Sequence, residues 1–298
     1  MKTLKTYILP IAIVAALLLH NVCYAVAPLA PVLIFCILLL NFSAINLKQL
    51  RPRIIDLWLI LFQLIVSMAG FLLFRLCGAN PVIAYGFLLA VLCPVAASSP
   101  VVGCLLGADR NTMTTYTIVG NIVISVAAPA YFSLLHVQED FSFLQSFWAI
   151  LCRIGPTLGL PFFVVWLLQT AWPLGAAFLR RWHGISFYLW AVALLITLGQ
   201  TFHYLFNNPT APSLLVILGL LALGVCFMQF ALGRRLGAAY GDKISGGQLL
   251  GQKNSAMGIW MANTYLDPLT AVTMAFYSIY QNIFNSYQLW QKNRATNN

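Results

Sequence analysis

Cys93-Pro94-Val95-Ala96-Ala97-Ser98-Ser99-Pro100-Val101-Val102-Gly103 lies in the middle of a long apolar run, yet it holds two prolines and two serines. Proline removes a backbone donor and collides with the preceding turn, so a continuous helix through this stretch is disfavoured. A second stretch behaves alike: Ser245-Gly246-Gly247-Gln248-Leu249-Leu250-Gly251-Gln252-Lys253-Asn254-Ser255-Ala256 is glycine-rich and then polar. Each glycine costs a helix about 1 kcal/mol relative to alanine. Pro94, Pro100, Gly246, Gly247 and Gly251 are therefore the predicted points of interruption.

Both stretches sit in a chain that reads as membrane-embedded. Of its 298 residues 61% are apolar and 7% charged, with a mean hydropathy of +0.87. A soluble domain carries about a quarter of its residues as charges, so a soluble globular protein is excluded. A spanning helix takes about 20 apolar residues, and ten runs qualify, over 7–26, 28–46, 54–74, 81–107, 111–135, 145–168, 185–205, 212–233, 244–265 and 267–290. These runs are too long and too uniformly apolar for barrel strands, and lipid cannot satisfy open backbone groups. The predicted fold class is an all-α membrane bundle of about ten transmembrane helices.

Basic residues set the orientation, because lysine and arginine collect in short cytoplasmic loops. Lys2, Lys5, Lys48, Arg51, Arg53, Arg110, Arg180, Arg181, Arg234, Arg235, Lys243, Lys292 and Arg294 all fall on one side of a ten-span chain. Arg75 falls on the other, with Glu139, Asp140 and Asp267. The formal charge of +10 thus reads as topology, with both termini cytoplasmic in a plasma (inner) membrane, and not as a nucleic-acid footprint. A competing reading takes Met1–Tyr7, the apolar Ile8–Leu19 and Ala25-Val26-Ala27 as a cleaved secretory signal; the parity of the charges favours a retained first helix.

The interruptions are matched in position. The first lies on span 4 of spans 1 to 5 (residues 1–140), the second on span 9, the fourth of spans 6 to 10 (residues 141–298). Five is odd, so two such halves insert with opposite orientation. Paired broken helices in an inverted repeat point to the central binding site of a secondary transporter. Simple proline and glycine kinks, common in membrane helices, are the alternative. No enzyme is expected: the seven cysteines are scattered without CxxC or histidine at ligand spacing, and GxGxxG, Walker A, HExxH and GxSxG patterns are absent. Cys93 and Ser99 have no nearby base, and neither a metal nor a cofactor is implied.

At these residues the sequence resembles the bile acid:sodium symporter family. A family pattern close to C-P-G-G-x-A-S-N is read here as Cys93-Pro94-Val95-Ala96-Ala97-Ser98-Ser99-Pro100, and E-x-G-x-Q-N-S-G as Leu249-Leu250-Gly251-Gln252-Lys253-Asn254-Ser255-Ala256. F-S-x-W-H-N-I-x-x-S is similar to Tyr277-Ser278-Ile279-Tyr280-Gln281-Asn282-Ile283-Phe284-Asn285-Ser286, and Gln63 in Ile60-Leu61-Phe62-Gln63 matches a family glutamine on span 3. The resemblance implies a core domain (spans 3 to 5 and 8 to 10), a panel domain (spans 1, 2, 6 and 7), crossed breaks, two sodium sites and an organic-anion cavity. Gln63, Ser99 and Thr117 keep the polar type expected of sodium ligands. Other positions depart: the family's asparagine is Pro100, a serine on span 5 is Met113, the glutamate shared by both ions is Leu249, and the glutamine is Lys253.

Sodium takes about five or six oxygen ligands and prefers carboxylate and carbonyl oxygen. With the carboxylate replaced by leucine and an ammonium beside it, sodium coupling of the family type is not expected. Two sodium ions and one glutamate give a net +1, and Lys253 beside Leu249 gives the same. Lys253 is thus read as a substitute for bound sodium, its donors held by carbonyls at the span 4 break and by Ser99, Thr117 or Gln63. It either loads and releases a proton or acts as a fixed cation in a uniporter; snorkelling to an interface is the alternative.

The substrate side is read as Ala97, Asn254, Ser255, Gln281, Asn282 and Asn285, with Arg153 as a further charge. Asn254 and Asn282 match family positions facing the cavity, and the half-helix N-termini favour an anion. The expected function is alternating-access transport of an organic anion, with small carboxylates and sterol-like anions both open. Alternatives are a sodium-coupled symporter of the bile-acid type, a carrier resembling the auxin-efflux family, and a non-transporting sensor. The oligomeric state is not legible.

Overall fold

The computed structural model describes residues 11–12, 14–45, 50–96, 99–135, 142–208 and 210–297. Ala97, residues 1–10, Lys48, Glu139 and Asp140 lie outside the described residues, and of Arg153 only the backbone is described.

The described chain is helical and contains no strand. In order the helices are α1 (His20–Ala25), α2 (Ala30–Ser43), α3 (Ile54–Leu76), α4 (Pro81–Leu92), α5 (Ser99–Leu106), α6 (Arg110–Leu134), α7 (Phe143–Leu158) and α8 (Leu160–Ala171). They continue with α9 (Pro173–Arg181), α10 (Ser186–Asn207), α11 (Pro212–Ala239), α12 (Lys243–Gly251), α13 (Ser255–Tyr265) and α14 (Ala271–Asn297).

Local chemistry sets several boundaries. Asn80 caps α4 by accepting from the Val82 amide at 2.9 Å, and Pro81 occupies a first-turn position that needs no donor. Ser142 and Gln145 form a reciprocal cap at the start of α7. Gly78 ends α3 and Gly107 ends α5 with φ of 71° and 98°, a left-handed region glycine adopts without penalty.

Four helical segments are long and apolar enough to cross a membrane: Ile54–Leu76, Arg110–Leu134, His183–Asn207 and Pro212–Ala239. A fifth is the pair Phe143–Thr157 and Leu160–Ala171, bent by 45°. The other expected spans coincide with shorter, broken or more polar helices. On α11 the residues Val216, Leu220, Leu223 and Phe227 form an exposed apolar stripe, while Leu218, Ala222, Val225, Cys226 and Gln229 are buried. A helix that turns apolar side chains outward and a glutamine inward is adapted to lipid, not water.

The chain divides into two compact units. One comprises Met1–Leu47, Ser125–Leu214 and Ala256–Val272; in it α1 and α2 pack on α10, and α2 on α8. There Arg180 Nε and Gln169 Nε2 donate to Ser43 O (3.2 Å) and Ile45 O (2.7 Å), capping the end of α2. The other unit comprises Lys48–Ile124, Leu215–Ser255 and Thr273–Asn298 and pairs α3 with α4, and α12 with α5 and α3. At one end of it Arg53 Nη1 donates to Thr112 Oγ1 (2.9 Å) and lies 3.8 Å from Asp109 and 3.9 Å from Asp242. Asp109 accepts from the Thr112 amide at the start of α6 and Asp242 from the Ser245 amide at the start of α12, so one guanidinium gathers two helix caps.

Candidate functional site

The site lies within the second unit, where α4 and α12 both end in mid-chain. Cys93 precedes Pro94 and is pushed out of the helical region (φ −49°, ψ 136°). After α12, Gln252 is extended as well (φ −90°, ψ 110°). The two extended breaks pair antiparallel, with Val95 opposite Lys253. The Ala96 amide donates to Gln252 O at 3.1 Å and the Asn254 amide to Pro94 O at 2.8 Å. Each break thereby satisfies backbone groups that the other leaves open.

Side chains complete this pairing. The last carbonyls of an α-helix lack partners in their own helix, and α4 finds them elsewhere. Ala90 O accepts from Gln229 Nε2 (3.1 Å) and Val91 O from Lys253 Nζ (2.8 Å). Leu92 O and Cys93 O both accept from Gln63 Nε2, at 2.6 and 2.9 Å, while Gln63 Oε1 accepts from Tyr116 Oη at 2.8 Å. On the other break, Gly251 O accepts from Tyr277 Oη (2.8 Å), and Gln281 brackets Lys253, accepting from its amide (2.7 Å) and donating to its carbonyl (3.1 Å). Cys93 Sγ donates to Asn254 O at 3.1 Å.

Lys253 is 1% exposed, so it does not snorkel within this unit. Its ammonium is held at the carbonyl end of α4, where the helix dipole favours a cation. The other predicted partners are engaged elsewhere: Gln63 on α4, Thr117 Oγ1 with Met113 O at 2.7 Å, and Ser99 Oγ with Gln248 O at 3.4 Å. Of the predicted polar positions, Ser255 Oγ donates to Ser278 Oγ (3.0 Å) and Asn282 Nδ2 to Ser278 O (2.6 Å). Asn254 and Asn285 are buried.

Two departures from the expected ligand set lie together. Met113 and Leu249 are fully buried in one apolar cluster with Ile55, Leu59, Val95, Tyr116 and Leu250. That surrounding offers hydrocarbon where a sodium ion needs oxygen.

The glycines of span 9 require a correction. The α12 helix runs unbroken through Gly246, Gly247 and Gly251, and the interruption follows at Gln252–Asn254. A Cβ on Gly246 would strike the backbone of Gly233 and Gly237, four residues apart on α11; one on Gly247 would strike the Arg234 stem, and one on Gly251 the Phe230 ring. These glycines serve close helix packing of the small-residue type. Pro94 lies in the break itself, whereas Pro100 sits in the first turn of α5, where its missing amide costs no bond.

Gln229 and Tyr116 lie outside the patterns read in the sequence, and Tyr277 enters there only as the first residue of the span 10 stretch, although a glutamine in an apolar span is a visible signal. No family model matches the chain, and a comparison with curated proteins finds no match.

Proposed function

We propose that the protein is a secondary transporter of a small organic anion, a divergent relative of the bile acid:sodium symporters, in which the Lys253 ammonium takes the place of bound sodium. It works by alternating access in ten spans with both termini cytoplasmic, the two halves inserted with opposite orientation. The observation that carries this reading is the paired breaks: two helix interruptions, matched in the two halves of the sequence, pair antiparallel with Lys253 Nζ on Val91 O. Irregular backbone at membrane depth is costly and is kept where it forms a transport site.

Two further observations support it. Residues 48–124, 215–255 and 273–298, which form one unit, come from the spans expected in a core domain, while the remainder of spans 5, 9 and 10 groups with the other unit. Met113 and Leu249 surround themselves with hydrocarbon, so the residues present do not fit the sodium that the resemblance implies. Coupling is therefore to a proton carried by Lys253, or to the membrane potential alone. A carrier without sodium needs one cation to offset an anionic cargo, and a tethered amine supplies it.

In proteoliposomes, Lys253→Ala is expected to abolish anion flux and its dependence on pH, while Lys253→Arg, a permanent cation, keeps at most pH-independent flux. Wild-type flux and pH dependence in Lys253→Ala would contradict the proposal.

A further inference from the structure

On α14 the residues Ser278, Gln281, Asn285, Gln288 and Lys292 recur at intervals of three and four, so they form one stripe along the helix. The first four are buried, where a core-facing stripe is ordinarily apolar. The stripe runs antiparallel to α12: Ser278 meets Ser255, Gln281 brackets Lys253, and Gln288 Oε1 accepts from Gln248 Nε2 (3.1 Å) and Arg234 Nη2 (2.8 Å). At its exposed end Lys292 Nζ donates to Leu105 O at 3.0 Å. Asn285 therefore lies level with the last turn of α12, between two bonded neighbours.

Among the described residues Asn285 Oδ1 has no donor, and neither do Gln248 Oε1 and Gln252 Oε1. All three side chains are more than nine-tenths buried, at 8%, 1% and 3% exposure. All three are side-chain amide oxygens. Leaving such a group unpaired costs about 1–3 kcal/mol, and native interiors meet the need with ordered water bound to several polar partners.

We propose that Gln248, Gln252 and Asn285 hold a file of water molecules running from the paired breaks to the Lys292 end of this unit, and that Lys253 exchanges its proton with the aqueous phase along it. The second part rests on the function proposed above; the first does not. The titratable groups around Lys253 are Cys93 at the end of α4, Tyr277 on Gly251 O and Tyr116 behind Gln63. Arg234 and Lys292 stand at the far end, and Asp242 caps α12 beyond Gln248. The stripe itself carries amides and no carboxylate, which suits conduction by water.

The test replaces Asn285 by the near-isosteric leucine in the full-length protein. If Asn285 anchors water, Asn285→Leu lowers Tm by about 2–4 °C, the shift for one lost buried hydrogen bond in a chain this large, and Asn285→Ser, which keeps a polar anchor, loses less. The same Leu variant slows the response of flux to a pH step imposed on the Lys292 side. An unchanged or raised Tm in Asn285→Leu, the mark of relieving a dry acceptor, overturns the water file. A Tm that rises with sodium or potassium at constant ionic strength overturns it in favour of a bound cation. A lowered Tm with an unaltered pH response overturns the proton route alone, whereas failure of the proposed function shows separately, as flux indifferent to Lys253→Ala.

Discussion

Gln63 joins the end of α4 to α6, donating twice and accepting once. Gln63→Leu removes the donor shared by Leu92 O and Cys93 O and the acceptor of the Tyr116 hydroxyl, and is expected to destabilise the protein by about 3 kcal/mol, read as a lowered unfolding midpoint in detergent. Gln63→Glu, ionised, is an acceptor without donors, so it is expected to be at least as damaging; wild-type stability in either variant would contradict this role. Both Gln63 and Lys253 were legible as functional candidates, because a polar side chain in an apolar span stands out in sequence. Their partners were not. The carbonyls they cap lie 29 or more residues away in sequence, and no local pattern encodes which long donor reaches which helix end.

Helix α12 shows where propensity misleads. Its glycines predicted an interruption, yet packing against Gly233 and Gly237 overrides their conformational cost. Gly246→Ala forces a methyl group into backbone that cannot move aside, and a loss of about 1–3 kcal/mol is expected; unchanged thermal stability would show that α11 and α12 are not held by this contact. The break on span 4 was legible at Pro94 because proline constrains the chain covalently. The break on span 9 was displaced to Gln252–Asn254, since its position depends on pairing with residues 94–96. At the start of α6, the Thr112 amide holds the Asp109 carboxyl below its ordinary range, aided by the Thr112 hydroxyl and the Arg53 guanidinium. A lowered value means that this cap is fully formed above the ordinary aspartate pKa of about 3.9 and is lost as pH falls through the folded value. Amide exchange at Thr112 is expected to stay protected down to about pH 4 and to become insensitive to acid in Asp109→Asn; protection lost already near neutral pH would contradict the assignment.

For the molecule as a whole, the length and uniformity of the apolar runs made the helical fold legible, and 7% charge leaves too little polar surface for water. Thirteen of its sixteen basic residues fit one face of a ten-span topology, a reading that the cysteine-labelling pattern of loops around Arg51, Arg110 and Arg181 tests directly. Labelling of these loops only from the cytoplasmic side is expected; labelling from both sides would break the parity. The scarcity of acid is the more telling number. Six carboxylates, with leucine at the position where the resembled family keeps its shared glutamate, leave Lys253 as the buried charge where the two breaks pair. The most direct test of that account is anion uptake into proteoliposomes with sodium and pH gradients imposed separately. The account predicts flux that is indifferent to sodium and follows the pH gradient or the membrane potential through Lys253, whereas a strict requirement for sodium would contradict it.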